Sequence, residues 1–509
     1  MNYELLNYLK SSIDRHWLRY YADELSSNRE EKQEYASKEL YELTKAKVDI
    51  ISAAIVRDSQ KLVIFVVESN PLEFIAAFLA GVITEVNIFL CNPSWQQQEW
   101  QQVLDLVIPD LIFGDETGDE TVNSQIAKLD STSQQLLPID RREFNTRSHI
   151  MIPTGGTSGE VKFAIHTWET LTASVNGFKT FFECEKINSV CTLPLYHVSG
   201  LMQLMRSLLT QGNLIICDYK LVTEQLINAD KSTYFISLVP TQLQYLVDLN
   251  PHWLKEFKTV LVGGAPPRRS LLNTAIKYNI PVASIYGMTE TASGIVALTP
   301  KELLTGNDSN GRVLPHAKVA IDKQRLTNSI DAEKLRENKI GLIAINSTSL
   351  CLGYYPQLLS PTRSLVTDDI GYFDSEGYLY LVGRNSQKII TGGENVFPGE
   401  VEKAIYATNL VKDVCVIGIP DGKWGQAVTA IYVPTAENIL DSVKQQMRSQ
   451  LAKYKQPKNW IKVNCIPRNN RGKVNYRKLK AIALHTMGKQ TTCRDAIYRV
   501  STNTKNESK

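Results

Sequence analysis

The sequence predicts an α/β protein built on parallel sheets, with a small antiparallel region in its second half and a compact α+β unit toward the C-terminus. Three observations lead there. Short β-branched runs alternate with helical patterns as far as Gly287; polar turns and short strands take over after about Leu298; and the pattern changes again after Gly383-Arg384. At 509 residues the chain exceeds what one hydrophobic core can organise, and with 43% hydrophobic residues it can fill several.

The runs are LVIFVV (Leu62 to Val67), VNIFL (Val86 to Leu90), LIICD (Leu214 to Asp218), YFISLVP (Tyr234 to Pro240), TVLVGG (Thr259 to Gly264) and VASIYG (Val282 to Gly287). Continuous apolar strands separated by helices imply parallel sheets covered on both faces. TVLVGG and VASIYG both stop at glycine, which puts the residues after them at carboxyl ends of strands, where open α/β sheets bind ligands. Phe74 to Cys91 is the most apolar stretch, but Glu85 and Asn87 interrupt it and Gly81 breaks it, so it reads as a buried helix followed by a strand, not a membrane span. Between Leu298 and Thr367, GLIAINS and LCLGYYP suggest a small antiparallel barrel-like subdomain. After Arg384 come IIT, a glycine turn, a helix from about Pro398, the strands VCVIGI and AVTAIYV, a helix around Ser442 to Leu451, and WIKVNCI. This divides the chain into residues 1–385, 386–485 and a polar tail, 486–509.

Composition narrows the function by exclusion. A net charge of +3 with both signs mixed along the chain suggests no nucleic-acid partner. The eight cysteines show no CxxC pairing and mostly lie in apolar runs, so they read as buried thiols of a reducing, cytoplasmic compartment, with neither zinc nor a disulfide framework. The N-terminus lacks a basic region followed by an apolar core, so no secretory signal is expected.

The most informative segment is MIPTGGTSGEVKFAIH, Met151 to His166. Gly155, Gly156 and Gly159 permit positive φ and close backbone approach, so successive N–H groups can converge on phosphate oxygens, while Thr154, Thr157, Ser158 and Lys162 supply further donors. Glu160 and Val161 separate the last glycine from the lysine, which rules out a Walker A loop. Alone, the same residues also describe an ordinary surface turn.

Four more motifs follow in order: YGMTE (Tyr286 to Glu290), TDDIG (Thr367 to Gly371), GRNSQKIITGGENVFPGEVE (Gly383 to Glu402) and NRGKVNYRKL (Asn470 to Leu479). From about Tyr41 to Leu479 the chain thereby resembles the adenylate-forming superfamily of acyl-CoA synthetases, luciferases and peptide synthetase adenylation domains. The resemblance implies a large N-terminal domain of two parallel-type α/β sheets plus a small β-barrel-like subdomain, and a small mobile α+β C-terminal domain. It implies that a carboxylic acid is joined to AMP from ATP, with Mg²⁺ as cofactor, and then passed to CoA.

The roles it implies are these. Thr154 to Lys162 hold the departing pyrophosphate, although Val161 and Phe163 stand where the family usually has proline and glycine. Glu290 binds Mg²⁺, a hard cation suited to carboxylate and phosphate oxygens. Tyr286, Gly287, Met288 and Thr289 line the adenine and acyl pockets, opposite Gly263, Gly264 and Ala265. Asp369 accepts from the ribose hydroxyls beside Arg384; Asp368 replaces a common glycine, which leaves open which aspartate points inward. Lys473 bridges the acid carboxylate and the α phosphate. Ser386 is the pivot about which the C-terminal domain rotates, after which Gly392 and Gly393 of TGGEN leave room for the pantetheine of CoA.

LPLYHVSGLMQLMRSLL, Leu193 to Leu209, puts His197 where the family closes its acyl pocket. HVSGL followed by Met205-Arg206-Ser207 narrows the resemblance to the o-succinylbenzoate-CoA ligases of menaquinone and phylloquinone biosynthesis. That implies an aromatic dicarboxylic acid whose second carboxylate needs basic or polar partners. His197 and Arg206 are the candidates, Arg206 having a solvent face of its helix as the alternative. Another aryl or medium-chain acyl-CoA ligase and a carrier-protein-loading adenylation protein are the competing functions.

Overall fold

The computed structural model describes residues 3–20, 36–56, 61–114, 148–155, 160–220, 222–225, 230–322, 340–358, 364–422, 424–447, 450–468 and 473–487. The chain forms two compact units. The first comprises Met1–Pro267, Leu272–Lys318 and Ile345–Leu365, the second Arg268–Leu271, Val319–Ala344 and Val366–Lys509.

Two sheets dominate the first unit. One has eight strands in the order Leu18–Tyr20, Leu214–Ile216, Asn188–Cys191, Tyr234–Leu238, Thr259–Val262, Val282–Met288, Ser293–Leu298 and Arg312–Val313. Its first six are parallel and its last two antiparallel. The other has seven strands and places Val63–Val67 between Asn87–Leu90 and Leu111–Gly114, all parallel. Ile64 and Val66 pack on one face with the helix Pro71–Ile83, while Val63, Phe65 and Val67 pack on the other with Trp100, Val103 and Leu104. Both faces are covered, which is why the strand is apolar without alternation. Pro71–Ile83 starts where the Asn70 side chain accepts from the backbone of Leu72 and Glu73 and proline occupies the first turn. Among the described residues no helix is long and apolar enough to cross a membrane.

The strand expected to stop at Gly287 continues to Met288 and turns through Thr289–Thr291 into an antiparallel strand. Glycine is needed there because a Cβ on residue 287 would collide with the carbonyl of Ser293. In the region expected to be barrel-like, Ala317–Asp322, Gly341–Ser347, Leu365–Phe373 and Leu379–Arg384 form a four-stranded sheet. LCLGYYP instead joins the seven-stranded sheet, where Tyr354 pairs with Ala164.

In the second unit Val411–Asp421 and Gly425–Pro434 form a long antiparallel pair, extended by Ile389–Thr391 and Glu394–Val396 on one side and by parallel Asn459–Lys462. Helices Pro398–Ala407 and Leu440–Met447 bury Val401, Ile405, Val443 and Met447 against one face, and Leu479 and Ala483 cover the other. Of the cysteines, six are buried and Cys465 is exposed; Cys493 lies outside the described residues.

Candidate active site

Antiparallel strands lie on either side of the glycine-rich segment. Ile150–Gly155 pairs with Val161–His166, Thr154 opposite Lys162 and Gly155 opposite Val161. A strand on each side of the segment differs from the strand-and-helix flanks of a P-loop. Gly156, Thr157, Ser158 and Gly159 lie outside the described residues. Lys162 is half exposed, its Nζ 3.8 Å from Glu160, a loose surface pairing that leaves the ammonium available.

Glu290 sits in the turn Thr289–Thr291, and each carbonyl of that turn has a donor from elsewhere. His166 Nε2 donates to Thr289 O at 2.8 Å, Cys351 N to Glu290 O at 2.8 Å, and Ser349 Oγ to Thr291 O at 2.9 Å. Tyr354 Oη donates to Glu290 Oε1 at 2.6 Å. No described residue bonds Glu290 Oε2. A half-buried carboxylate with one oxygen anchored and the other open suits Mg²⁺, which takes one or two carboxylates and completes its shell with substrate phosphates and water. Tyr286, Gly287 and Met288 are half-buried at the strand end, and Gly264 adopts φ +82°, which only glycine takes without strain.

His197 occupies the position just before the helix Val198–Leu209, without a side-chain bond to its first turn, and is buried against Tyr196, ring centroids 4.5 Å apart. Arg206 is on the same helix, and it does not face solvent: it is 5% exposed. Its guanidinium lies 4.1 Å from the Phe178 ring centre and donates to Ser293 Oγ at 3.1 Å, while Nε has no partner. Helical period explains the correction, because Leu201, Met202, Leu204, Met205 and Leu208 are buried too, leaving this helix no wet face near its middle. Burial pushes the Arg206 pKa down to about 10, so it is still a cation at neutral pH.

In the second unit, TDDIG is a strand and not a turn. Asp369 is opposite Arg384, with the Arg384 Nε 3.3 Å from Asp369 Oδ1. Asp368 points elsewhere: it accepts from the backbone N of Ser386 at 3.0 Å and from the Ser386 hydroxyl. Gly392 and Gly393, at φ +62° and +87°, form the two-residue turn between Ile389–Thr391 and Glu394–Val396. Two successive positive φ values match the primed hairpin turns that favour Gly-Gly. Lys473 is exposed, next to Val474, which bridges to Arg468; Arg468 in turn makes two bonds to Asp413, at 3.1 and 3.2 Å.

Tyr354, His166 and Ser293 were not singled out from the sequence. Tyr354 lies 64 residues from its partner Glu290, and only the sheet brings the two together.

The AMP-binding enzyme family model matches residues 38–355, and its C-terminal domain model matches residues 400–473. A 2-succinylbenzoate–CoA ligase of Listeria monocytogenes is 31% identical over 81% of this chain and 87% of its own length. That of Oceanobacillus iheyensis is 33% identical over 64% of this chain and 68% of its own. Among solved structures, the o-succinylbenzoate coenzyme A synthetase of Bacillus subtilis in complex with AMP superposes with a TM-score of 0.74 at 23% identity, covering 93% of this chain and 98% of that one. ATP-bound MatB of Rhodopseudomonas palustris gives 0.74 at 22%, over 95% and 99%. At those identities the structures speak for the fold, while the family models and the Listeria relative extend over most of the sequence: the chain belongs to the AMP-binding enzyme family.

Proposed function

We propose that the protein is an ATP-dependent 2-succinylbenzoate–CoA ligase. In the first half-reaction a carboxylate oxygen attacks the α-phosphorus of ATP, the bond to the bridging oxygen breaks, and pyrophosphate leaves. In the second, the CoA sulfur attacks the acyl carbon, the acyl–oxygen bond breaks, AMP leaves, and the thiol proton passes to solvent. A carboxylate alone is a poor acyl donor, and the intermediate adenylate supplies the leaving group.

The residues divide this work. The segment from Thr154 to Lys162 binds the departing pyrophosphate through backbone N–H groups and the lysine. Glu290 holds Mg²⁺, which when bound neutralises phosphate charge. Tyr286, Gly287, Met288 and Thr289, with Gly263, Gly264 and Ala265, form the adenine and acyl walls. Asp369, already paired with Arg384, takes the ribose hydroxyls, because the Asp368 carboxylate is engaged by Ser386. Lys473 meets the charge that develops between the carboxylate and the α-phosphate. Rotation about Ser386 then presents Gly392 and Gly393 to the pantetheine.

The observation that carries the choice of acid is Arg206. A buried cation is ordinarily paired, yet no described carboxylate bonds this one. The nearby Cys184 does not serve, since burial raises its pKa and keeps the thiol neutral. A substrate bearing a second carboxylate supplies the missing counterion. AMP formation from 2-succinylbenzoate, benzoate and octanoate, each with and without CoA, tests the reading. Comparable efficiency on the monoacids overturns the choice of acid; turnover indifferent to CoA overturns the thioester step.

A further inference from the structure

His316 stands close to Arg206, and no sequence motif points to it. It belongs to LPHAKV, between the strand Arg312–Val313 and the strand Ala317–Asp322. Its backbone carbonyl accepts from Ser347 Oγ at 2.9 Å and from Thr348 N at 3.4 Å, which fixes where the side chain departs. The ring packs directly on Gly177, where a Cβ would overlap it. Gly177 precedes Phe178, the residue whose ring lies under the Arg206 guanidinium. Histidine and arginine thus both pack on the last turns of the helix Trp168–Phe181, near enough for the Arg206 charge to act on the imidazole.

Neither ring nitrogen of His316 has a hydrogen-bond partner, and both are shielded from water. That is costly, since an orphaned buried donor forfeits the hydrogen bond it would make to water. Arg206 Nε, also buried, is unpartnered too. Burial, with the Arg206 charge as a smaller cause, pushes the His316 pKa down to about 4. At neutral pH the imidazole is neutral and presents one N–H and one bare nitrogen. Arg206 thus has a spare N–H beside the Ser293 hydroxyl that already accepts from it, and His316, within reach of its charge, has a spare N–H of its own, both in an apolar setting. Spare donors around a fixed positive charge, with no acidic side chain bonded to any of them among the described residues, make a receptor for an anion with two acceptor oxygens.

We infer that His316 is a specificity-determining residue, donating one hydrogen bond to the ring carboxylate of the substrate while Arg206 supplies the charge. This rests on the function proposed above and adds a residue to it. Arginine alone would attract any anion of suitable size. Adding a neutral donor at a fixed angle selects a carboxylate in one orientation, since a substrate without that group leaves both donors unsatisfied. A carboxylate on the aromatic ring, ortho to the succinyl chain, is the substrate's only group that can reach a second anion site while its aliphatic carboxylate is being adenylated.

The test compares 2-succinylbenzoate with benzoylpropionate, the same acid without its ring carboxylate, in wild-type enzyme and in His316→Phe and His316→Gln. We expect His316→Phe to lower kcat/KM for 2-succinylbenzoate about 10- to 100-fold while leaving benzoylpropionate within about threefold, since only the former loses a charged hydrogen bond. His316→Gln, which keeps an N–H donor, should recover much of the discrimination. Equal losses on both acids would make His316 structural and overturn the inference while leaving the choice of acid intact. A wild-type enzyme indifferent to the ring carboxylate would instead overturn the choice of acid. Should neither variant fold, a crystal structure of the wild-type enzyme with 2-succinylbenzoate decides: a ring carboxylate bonded to a His316 nitrogen supports the inference, and one bonded only elsewhere refutes it.

Discussion

Tyr354 and Glu290 share a 2.6 Å hydrogen bond across 64 residues of sequence. The phenol takes one carboxylate oxygen and leaves the other open, so it orients Glu290 toward whatever approaches Oε2. Outer-shell partners of this kind typically contribute about 10- to 100-fold to metal affinity or activity. Tyr354→Phe should accordingly raise the Mg²⁺ concentration needed for half-maximal adenylation by about tenfold. Thioester formation from supplied acyl-adenylate should be unchanged. An unaltered Mg²⁺ dependence would show that the bond does not orient the carboxylate.

Lys473 follows a segment whose stem is held by the Arg468–Val474 bridge and by Arg468 on Asp413. Lys473→Ala should remove acyl-adenylate formation by about 10²- to 10³-fold, the usual loss of an electrostatic donor aimed at developing charge. The second half-reaction, started from supplied adenylate, should survive. Equal damage to both steps would mean that the lysine acts on the fold.

Ser386→Pro should do the reverse. Proline fixes φ near −65° and removes the N–H that Ser386 donates to Asp368. Rotation of the C-terminal domain beyond residue 386 would be hampered while the adenylation residues stay intact, so adenylate should accumulate with little thioester. Ser386→Ala, which keeps the N–H, should resemble wild type. If Ser386→Pro runs both steps normally, the pivot lies at another residue.

How far sequence could reach is clear from particular residues. The runs LVIFVV and VASIYG mark strands because their burial on both faces leaves a continuous apolar signature, and local chemistry also marked Gly392-Gly393. Arg206 could be placed on a helix but not turned inward, because a lone charge in an apolar helix looks alike whether it is a wet edge or a buried site. His166 and Tyr354 left no trace, since each bonds a residue distant in sequence, and His316 is brought near Arg206 only by the fold. Asp368 and Asp369 are adjacent and chemically identical, and only the structure shows that one pairs with Arg384 and the other with Ser386.

His166 gives the stability a pH dependence with a definite sign. It is fully buried, holds Thr289 in place, and burial pushes its pKa from 6.5 down to about 4. The folded state therefore favours the neutral ring and the unfolded state binds more protons between those values. Its contribution is complete above pH 6.5 and is lost as pH falls toward 4, by roughly 3 kcal/mol over that window. Urea unfolding between pH 4 and 7 should show His166→Gln with a shallower slope than wild type; His316 titrates in the same direction, so the difference between the two proteins is the quantity to read. Parallel curves would remove His166 as the source.

Arg206 sets stability against function. Removing a buried cation that lacks an ionic partner relieves a desolvation penalty, and replacing buried charges with apolar groups of similar volume is often neutral or stabilising by about 1–4 kcal/mol. Arg206→Met keeps the length of the side chain and its packing on Phe178, so the variant should melt no lower than wild type. Its kcat/KM for 2-succinylbenzoate should nevertheless fall by at least about 10²-fold, and the preference over benzoylpropionate should collapse, because a site built to hold a polar group can discriminate by roughly 10⁴-fold where an apolar pocket manages about 10²-fold. A less stable variant that still prefers 2-succinylbenzoate would mean that the guanidinium is a structural prop resting on Phe178 and Ser293, and that the ring carboxylate is held by other groups.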